Sequence, residues 1–271
     1  MVVEKMNNPL PRKSLGQHWL NDPASLASIC EMADLNPKDT VLEIGPGHGS
    51  LTQNLTLLAN NVVAVEFDDH LAAQLPLRVR VENLKVVHED ILKYDLTKLP
   101  IDYKVVANIP YYLTSNLLRV LCESDNPPTL MVLLVQKEVA QRVCAPAGSM
   151  SMLSVSVQFY YTAELGAIVP AKLFTPPPTV DSQILKMTRH KVELFPGINT
   201  KSFFRVVKSG FANRRKTLAN SLSAGLHISK TEAAAFIDLA KLSINARPQE
   251  LSLTDWYCLY LAIIASDILQ K

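Results

Sequence analysis

Residues 40–58 read TVLEIGPGHGSLTQNLTLL, and this stretch limits the possible folds more than any other. Residues 40–44 have the β-branched and apolar character of a short buried strand. Gly45-Pro46-Gly47-His48-Gly49 follows without a spacer, and residues 50–58 then carry a helical pattern. Strand, glycine-rich turn and helix in that order make the ligand-facing corner of an open α/β sheet. Glycines in such a turn let the backbone approach a ligand closely and take positive φ. The spacing is GxGxG with Glu43 two residues earlier, rather than the GxGxxG of dinucleotide folds.

Further strands follow, and their ends carry the chemistry. Residues 62–65 form a strand that ends at Glu66, 17 residues after Gly49. A carboxylate there is placed to accept from both hydroxyls of a ribose. Residues 84–88 form a third strand, ending in Glu89-Asp90, and Asp90 suits the exocyclic amine of an adenine. Val105-Val106-Ala107 leads into Asn108-Ile109-Pro110-Tyr111, with a helix-like segment over 113–121. Each of these groups alone is ordinary, a solvated strand-end charge or a buried aromatic. Glu66, Asp90 and Asn108 on successive strand ends, after a glycine-rich first turn, are hard to explain as chance.

Asn108-Ile109-Pro110-Tyr111 suits methylation of an exocyclic amine. Adenine N6 is a poor nucleophile because its lone pair is delocalised into the ring. An Asn side-chain oxygen and the Ile109 carbonyl can both accept from the N6 hydrogens and favour the pyramidal geometry in which that lone pair attacks. Pro110 stiffens the turn and has no N–H to compete. Tyr111 offers a π-face for an extracted base.

Asp22-Pro23 starts a helix, with Asp as N-cap and Pro at the first position, and this helix reads to Ala33. A fifth strand covers 129–135, and a helix begins at Gln136-Lys137-Glu138. Residues 153–160 alternate apolar and polar, which predicts a half-buried strand. A rigid proline loop, Pro176-Pro177-Pro178, precedes the last strand at 182–187. Four short helices are then predicted near 200–212, 215–224, 229–239 and 252–267.

The net charge of +2 hides an asymmetry. Residues 1–185 hold 14 Lys and Arg against 19 Asp and Glu, and residues 186–271 hold 13 against 6. An acidic first part and a basic last part fit a catalytic domain over 1–188 and a nucleic-acid-contacting helical domain over 189–271. Arg214, Arg215 and Lys216 sit near a helix start, where cations oppose the helix dipole and so favour an anionic partner. Cys30, Cys122, Cys144 and Cys258 are scattered without a CxxC pair, so neither structural zinc nor a disulfide framework is expected. No apolar run reaches the length of a membrane span and the N-terminus lacks a signal-peptide core, so a cytoplasmic protein is expected.

Seven motifs together resemble the small-subunit ribosomal RNA adenine dimethyltransferase family. They are KSLGQHWL at 13–20, LEIGPGHGSLT at 42–52, VEFD at 65–68, HEDIL at 88–92, ANIPY at 107–111, the F-x-P-x-P-x-V-D-S pattern at 174–182, and FANRRKTLANSL at 211–222. Large-subunit adenine methyltransferases share the first six, whereas the basic seventh is closer to the small-subunit group. Trp19 stands where Phe is usual, and Thr179 stands where Lys is frequent.

The resemblance implies a Rossmann-like class I S-adenosylmethionine-dependent methyltransferase sheet with a small C-terminal all-α domain. It implies S-adenosylmethionine as donor and no metal. Cofactor contacts are expected from Gln17, His18, Leu20, Glu43, Gly45, Gly47, Glu66, Phe67, Asp90, Ile91 and Asn108. Asn108, Ile109, Pro110 and Tyr111 would hold the target base, and Arg12, Lys13, Arg214, Arg215 and Lys216 the RNA. The implied substrate is a pair of adjacent adenosines in the 3′-terminal hairpin loop of small-subunit (16S) rRNA. The implied partner is the small ribosomal subunit during its assembly, met by a monomer. Three other readings stay open at this point: a large-subunit rRNA methyltransferase, a DNA adenine methyltransferase, and an RNA-binding assembly factor that has lost catalysis.

Overall fold

A computed structural model describes residues 16–213 and 215–266. Arg12, Lys13 and Arg214 lie outside the described residues. Contacts divide the chain into two compact units. One takes in the described residues up to Lys137 and Gly166–Lys186, and the other takes in Glu138–Leu165 and the chain from Met187 on. Residues 138–165, which a contiguous boundary after 188 assigns to the first domain, cluster with the second unit.

The first unit is an α/β layer structure of Rossmann-like type. A two-residue strand β1 (Trp19–Leu20) precedes helix α1 (Pro23–Ala33). Asp22 caps α1 by accepting from the Ser25 amide at 2.8 Å, as the Asp-Pro start predicts. Strand β2 (Thr40–Ile44), helix α2 (Ser50–Leu58), strand β3 (Asn61–Glu66), helix α3 (Asp69–Arg78) and strand β4 (Leu84–His88) follow. After them come β5 (Lys104–Asn108), helix α4 (Thr114–Glu123) and β6 (Leu130–Gln136). The chain then passes through α5 (Lys137–Val143) and α6 (Met152–Gln158), which fall almost wholly in the second unit, before β7 (Tyr161–Val169), β8 (Phe174–Thr175) and β9 (Ser182–Arg189).

The seven-stranded sheet has the order β4-β3-β2-β5-β6-β9-β7. The pairs β2/β3, β3/β4, β2/β5 and β5/β6 are parallel. Strand order reverses between β2 and β5, and ligands bind outside the carboxyl ends of strands at such a reversal. The reversal therefore puts Gly45, which follows β2, and Asn108, which closes β5, at the crevice. β1 and β8 pair antiparallel, Trp19 with Thr175 and Leu20 with Phe174. That ladder ties the segment before α1 to the stretch before the proline loop, and the sequence pattern did not show it.

A core of Leu26, Ile29, Val41, Leu55, Val106 and Val132, among others, lies under α1 and α2. Two glycines of the turn are required by their backbone. Gly47 has φ +58°, with Trp19 atoms 3.3 Å from where a Cβ would stand, and Gly49 has φ +87°, with Leu75 Cδ1 only 2.7 Å away. An L side chain at either position would be strained in that left-handed region.

The second unit corrects one expectation. Residues 153–160 are not a strand: α6 is a helix over Met152–Gln158. Ser151 Oγ accepts from the Ser154 amide, and Ser154 Oγ accepts from the Ser151 amide at 2.6 Å. This capping box commits the segment to a helix. Val155 and Val157 are both buried, so tertiary packing overrides the two-residue alternation. β7, the strand that follows, was not foreseen, because its residues are mostly exposed and show little alternation. Helices α7 (Thr200–Phe211), α8 (Leu218–Leu226), α9 (Lys230–Leu239) and α10 (Leu253–Ile264) fall where the four-helix reading put them. Phe203, Leu222, Ile237 and Trp256 make their shared core, with Phe159 and Val155 of the earlier segment.

Candidate active site

A cavity of about 210 Å³ opens in the first unit at the carboxyl end of the sheet. Its lining includes Gln17, His18, Gly45, Gly47, Glu66, Phe67, Asp90 and Ile91, so most of the predicted cofactor residues meet in one place. The reason is topological. Gly45, Gly47, Glu66, Phe67, Asp90 and Ile91 follow or close parallel strands, whose pairing brings those ends to one edge, whereas Gln17 and His18 come from the segment that the β1–β8 pair holds. Leu20 and Glu43 do not line it. Leu20 is buried in the core with α1, and Glu43 is buried within β2.

Glu66 is only 6% exposed. Its carboxylate accepts from the Gly47 amide at 3.1 Å and from the Asp68 amide at 2.9 Å. These bonds join the end of β3 to the glycine turn, while Gly45 N–H donates to Val65 O at 2.9 Å. Burial pushes the Glu66 carboxyl above its ordinary value, and the backbone amides pull the other way. Phe67 is 58% exposed on the cavity wall, an apolar ring with no core to join.

Glu43 lies behind the turn with 1% exposure, and its Oε2 has no hydrogen-bond partner. Burial pushes its carboxyl up to about 8, the Thr52 hydroxyl works against that, and the Glu66 carboxylate adds to it. Glu43 is therefore a neutral acid at pH 7. Trp19 and His48 pack edge to face, with centroids 3.9 Å apart, and His48 Nδ1 accepts from Arg78 Nη1 at 2.7 Å. This packing against the turn was not foreseen, since Trp19 and His48 lie 29 residues apart in two separate motifs and no local pattern shows that the two meet.

The Asn108-Ile109-Pro110-Tyr111 segment is tied to both neighbouring segments. Asn108 Nδ2 donates to the His18 carbonyl at 3.2 Å, which leaves Oδ1 as the acceptor of that amide. Asn108 lines a smaller cavity of about 40 Å³ with Trp19, Gly45, Gly47 and His48. Ile109 is buried. Tyr111 O–H bonds with Ser182 Oγ at 2.7 Å, and burial raises the phenol above its ordinary value, so it stays protonated. The His18 ring stacks over Tyr111 with centroids 5.8 Å apart and planes at 22°. His18 Nδ1–H donates to the Pro176 carbonyl at 2.7 Å, which fixes the tautomer because a carbonyl only accepts. Three segments that are remote in sequence thus meet at one imidazole. Tyr112, and not Tyr111, lines the larger cavity beside Pro110, and Tyr112 is 66% exposed. Its presence there follows from the one-turn helix after Pro110, which the sequence did not reveal.

In the second unit, Arg215 and Lys216 are exposed in the turn before α8. Thr217, the N-cap of α8, makes no side-chain capping bond. Among the described residues no set of three His, Cys, Asp or Glu side chains could hold a metal ion, and no helix is long and apolar enough to cross a membrane.

Comparison with known proteins gives a consistent result. A family model described as ribosomal RNA adenine dimethylase matches residues 9–264. The chain is 42% identical over 254 residues to a ribosomal RNA small subunit methyltransferase A of Dehalococcoides mccartyi, covering 92% of this chain and 87% of that one. A protein of the same name from Streptococcus sanguinis is 40% identical over 261 residues, covering 92% and 90%. Among solved structures, a dimethyladenosine transferase from Plasmodium falciparum superposes with a TM-score of 0.78 at 26% identity, covering 92% of this chain and 98% of that one. The 23S rRNA methyltransferase ErmE superposes with a TM-score of 0.75 at 28% identity, covering 91% and 99%.

Proposed function

The chain belongs to the ribosomal RNA adenine dimethylase family, and from that premise we propose that it dimethylates N6 of two adjacent adenosines in the 3′-terminal hairpin loop of small-subunit rRNA, acting on the small subunit during its assembly. It is an S-adenosylmethionine-dependent rRNA methyltransferase. The finer assignment to the small subunit draws on relatives at about 40% identity that carry that name. The likeness to ErmE keeps the large subunit as the competing substrate.

The cavity suits S-adenosylmethionine. Glu66 offers a buried acceptor for ribose hydroxyls, Asp90 one for the adenine amine, and Phe67 and Ile91 give apolar walls for the base. A Cβ at Gly45 would meet only Pro110 Cδ at 3.9 Å, so the turn leaves room for a ligand against its backbone. Gln17, His18 and Gly47 complete the contacts, with Leu20 and Glu43 supporting them from beneath. The cofactor supplies a methyl group already activated on a sulfonium, so positioning and electrostatics are the work left to the protein.

The observation that carries the reading is the bond from Asn108 Nδ2 to the His18 carbonyl. With the amide nitrogen engaged, Oδ1 faces the task of accepting from adenine N6, together with the Ile109 carbonyl. Both acceptors draw the N6 hydrogens aside and free the lone pair for attack. Tyr111, held by Ser182, gives the flipped base a fixed π-face. The product ammonium is acidic and loses its proton to water without a dedicated base. Arg12, Lys13, Arg214, Arg215 and Lys216 contact phosphates, and of these Arg215 and Lys216 are exposed just before α8.

The test is transfer of labelled methyl from S-adenosylmethionine to unmethylated small and large subunits in parallel, followed by nucleoside analysis. Dimethyladenosine in small-subunit RNA alone is the expected result. Label in large-subunit RNA would move the assignment to the other substrate, and binding without any transfer would make the chain a non-catalytic assembly factor.

A further inference from the structure

The second unit carries a cavity of its own, of about 300 Å³, where the chain leaves β9. Phe159, Tyr160 and Phe195 form its aromatic walls, and Arg189, His190 and Lys191 supply three successive basic residues. Packing holds the rings in place. Phe159 and Tyr160 meet edge to face with centroids 4.8 Å apart, and Phe195 stacks on Tyr257 at 4.3 Å and 12°. His190 is fixed twice: its amide donates to Tyr160 O at 3.0 Å, and its Nε2 bonds the Gln158 carbonyl at 3.0 Å. The carbonyl can only accept, so Nε2 is the donor of that bond. Arg189 and Lys191 are exposed.

Rings without cations would suit an apolar ligand, and cations without rings would suit an acidic peptide. A site with both matches a nucleotide, which has a π-face and a phosphate on one covalent unit. A paired nucleotide does not qualify, because its base is already stacked on both faces within the helix. Glu193, which also lines the cavity, can accept from an exocyclic amine or a ribose hydroxyl. The surplus of basic residues after 186 puts the cavity in the positive part of the chain.

We infer that this cavity binds an unpaired nucleotide of the RNA substrate, with the base against Tyr160 and Phe195 and its phosphate near Arg189 and Lys191. The inference rests on the rRNA reading above and adds to it a second RNA subsite, in the helical unit, that holds a base by stacking rather than by methyl transfer.

The experiment measures binding of a fluorescein-labelled uridine octamer to the full-length protein, since this RNA offers no adenine to the methylation site. Tyr160→Leu keeps apolar volume and removes the stacking face, and R189A/K191A removes the two cations. Circular dichroism and thermal unfolding check that each variant folds. Tyr160→Leu should weaken octamer binding about tenfold, and R189A/K191A should reduce the salt dependence by roughly one phosphate contact or more. An octamer of abasic sites should bind the wild type as weakly as the full octamer binds Tyr160→Leu. With unmethylated small subunits as substrate, the variants should raise the KM for the subunit and leave kcat and the KM for S-adenosylmethionine unchanged.

Equal binding of the abasic and full octamers, or folded variants that bind like the wild type, would overturn the inference while leaving methyl transfer intact. A wild type that binds the octamer through Tyr160 yet methylates no ribosomal RNA would support the cavity and overturn the substrate reading instead.

Discussion

Replacing Glu43 with Gln should make the stability of this protein depend less on pH. The Glu43 carboxyl is 1% exposed and is pushed up to about 8, from an ordinary value of 4.5, chiefly by burial. A raised folded value means that the unfolded chain releases the proton first. Below pH 4.5 both states hold the proton and the fold has its full stability. As pH rises from there, the unfolded state gains by ionising and the folded state does not, so stability falls by about 1.4 kcal/mol per pH unit. By pH 7 the loss is about 3 kcal/mol, and it levels off once the folded carboxyl also ionises near pH 8. Gln at this position has nearly the same shape and no proton to lose. Its amide brings two N–H donors where the neutral acid has one O–H, at a place where Glu43 Oε2 has no partner, and that cost is the same at every pH. The readout is therefore the slope and not the absolute difference. Urea unfolding of wild type and Glu43→Gln at pH 5, 6, 7 and 8 should show the variant gaining on the wild type steadily over this range. A difference that stays constant from pH 5 to 8 would refute the reasoning, because it would mean that Glu43 titrates alike in both states.

Four further outcomes follow from the geometry. Asn108→Ala should abolish methyl transfer while calorimetry still finds cofactor binding; near-normal turnover would show that the acceptor lies elsewhere. Tyr111→Phe should retain most of the transfer and lose about 1 kcal/mol of stability, because the buried Ser182 hydroxyl loses its partner, whereas Tyr111→Ala should lose transfer. Gly49→Ala should lower stability by about 1–2 kcal/mol from backbone strain alone, visible as a drop in Tm, with the close Leu75 contact adding to it. Removing Arg215 and Lys216 together should flatten the salt dependence of RNA binding by roughly two phosphate contacts, and an unchanged slope would reject their role.

The local pattern announced most of the first unit. Asp22-Pro23 marks the start of α1, and the strands through Glu66, His88 and Asn108 end where the apolar runs end. These elements are legible because capping and burial act over a few residues, so the code for them is contiguous. The grouping of Gly45, Glu66 and Asp90 around one cavity also followed, since successive parallel strands must bring their ends to one edge. Where local signals conflicted, the sequence misled: residues 153–160 alternate like a strand, yet the Ser151–Ser154 capping box and burial on more than one side make a helix.

By itself, then, the sequence determined most elements of the first unit, their order and the polar residues at the strand ends, together with the four helices after residue 200. Tertiary structure decided what those residues touch. It paired Trp19 and Leu20 with Thr175 and Phe174, more than 150 residues away, and so set His18 between Tyr111 and Pro176. It turned Asn108 by a bond to a carbonyl 90 residues earlier, and it buried Glu43 so deeply that a residue written as an anion stands as a neutral acid. The physical reason is common to all three: hydrogen bonds and desolvation depend on distance in space, and no pattern within a strand or a helix records which remote segment will arrive beside it.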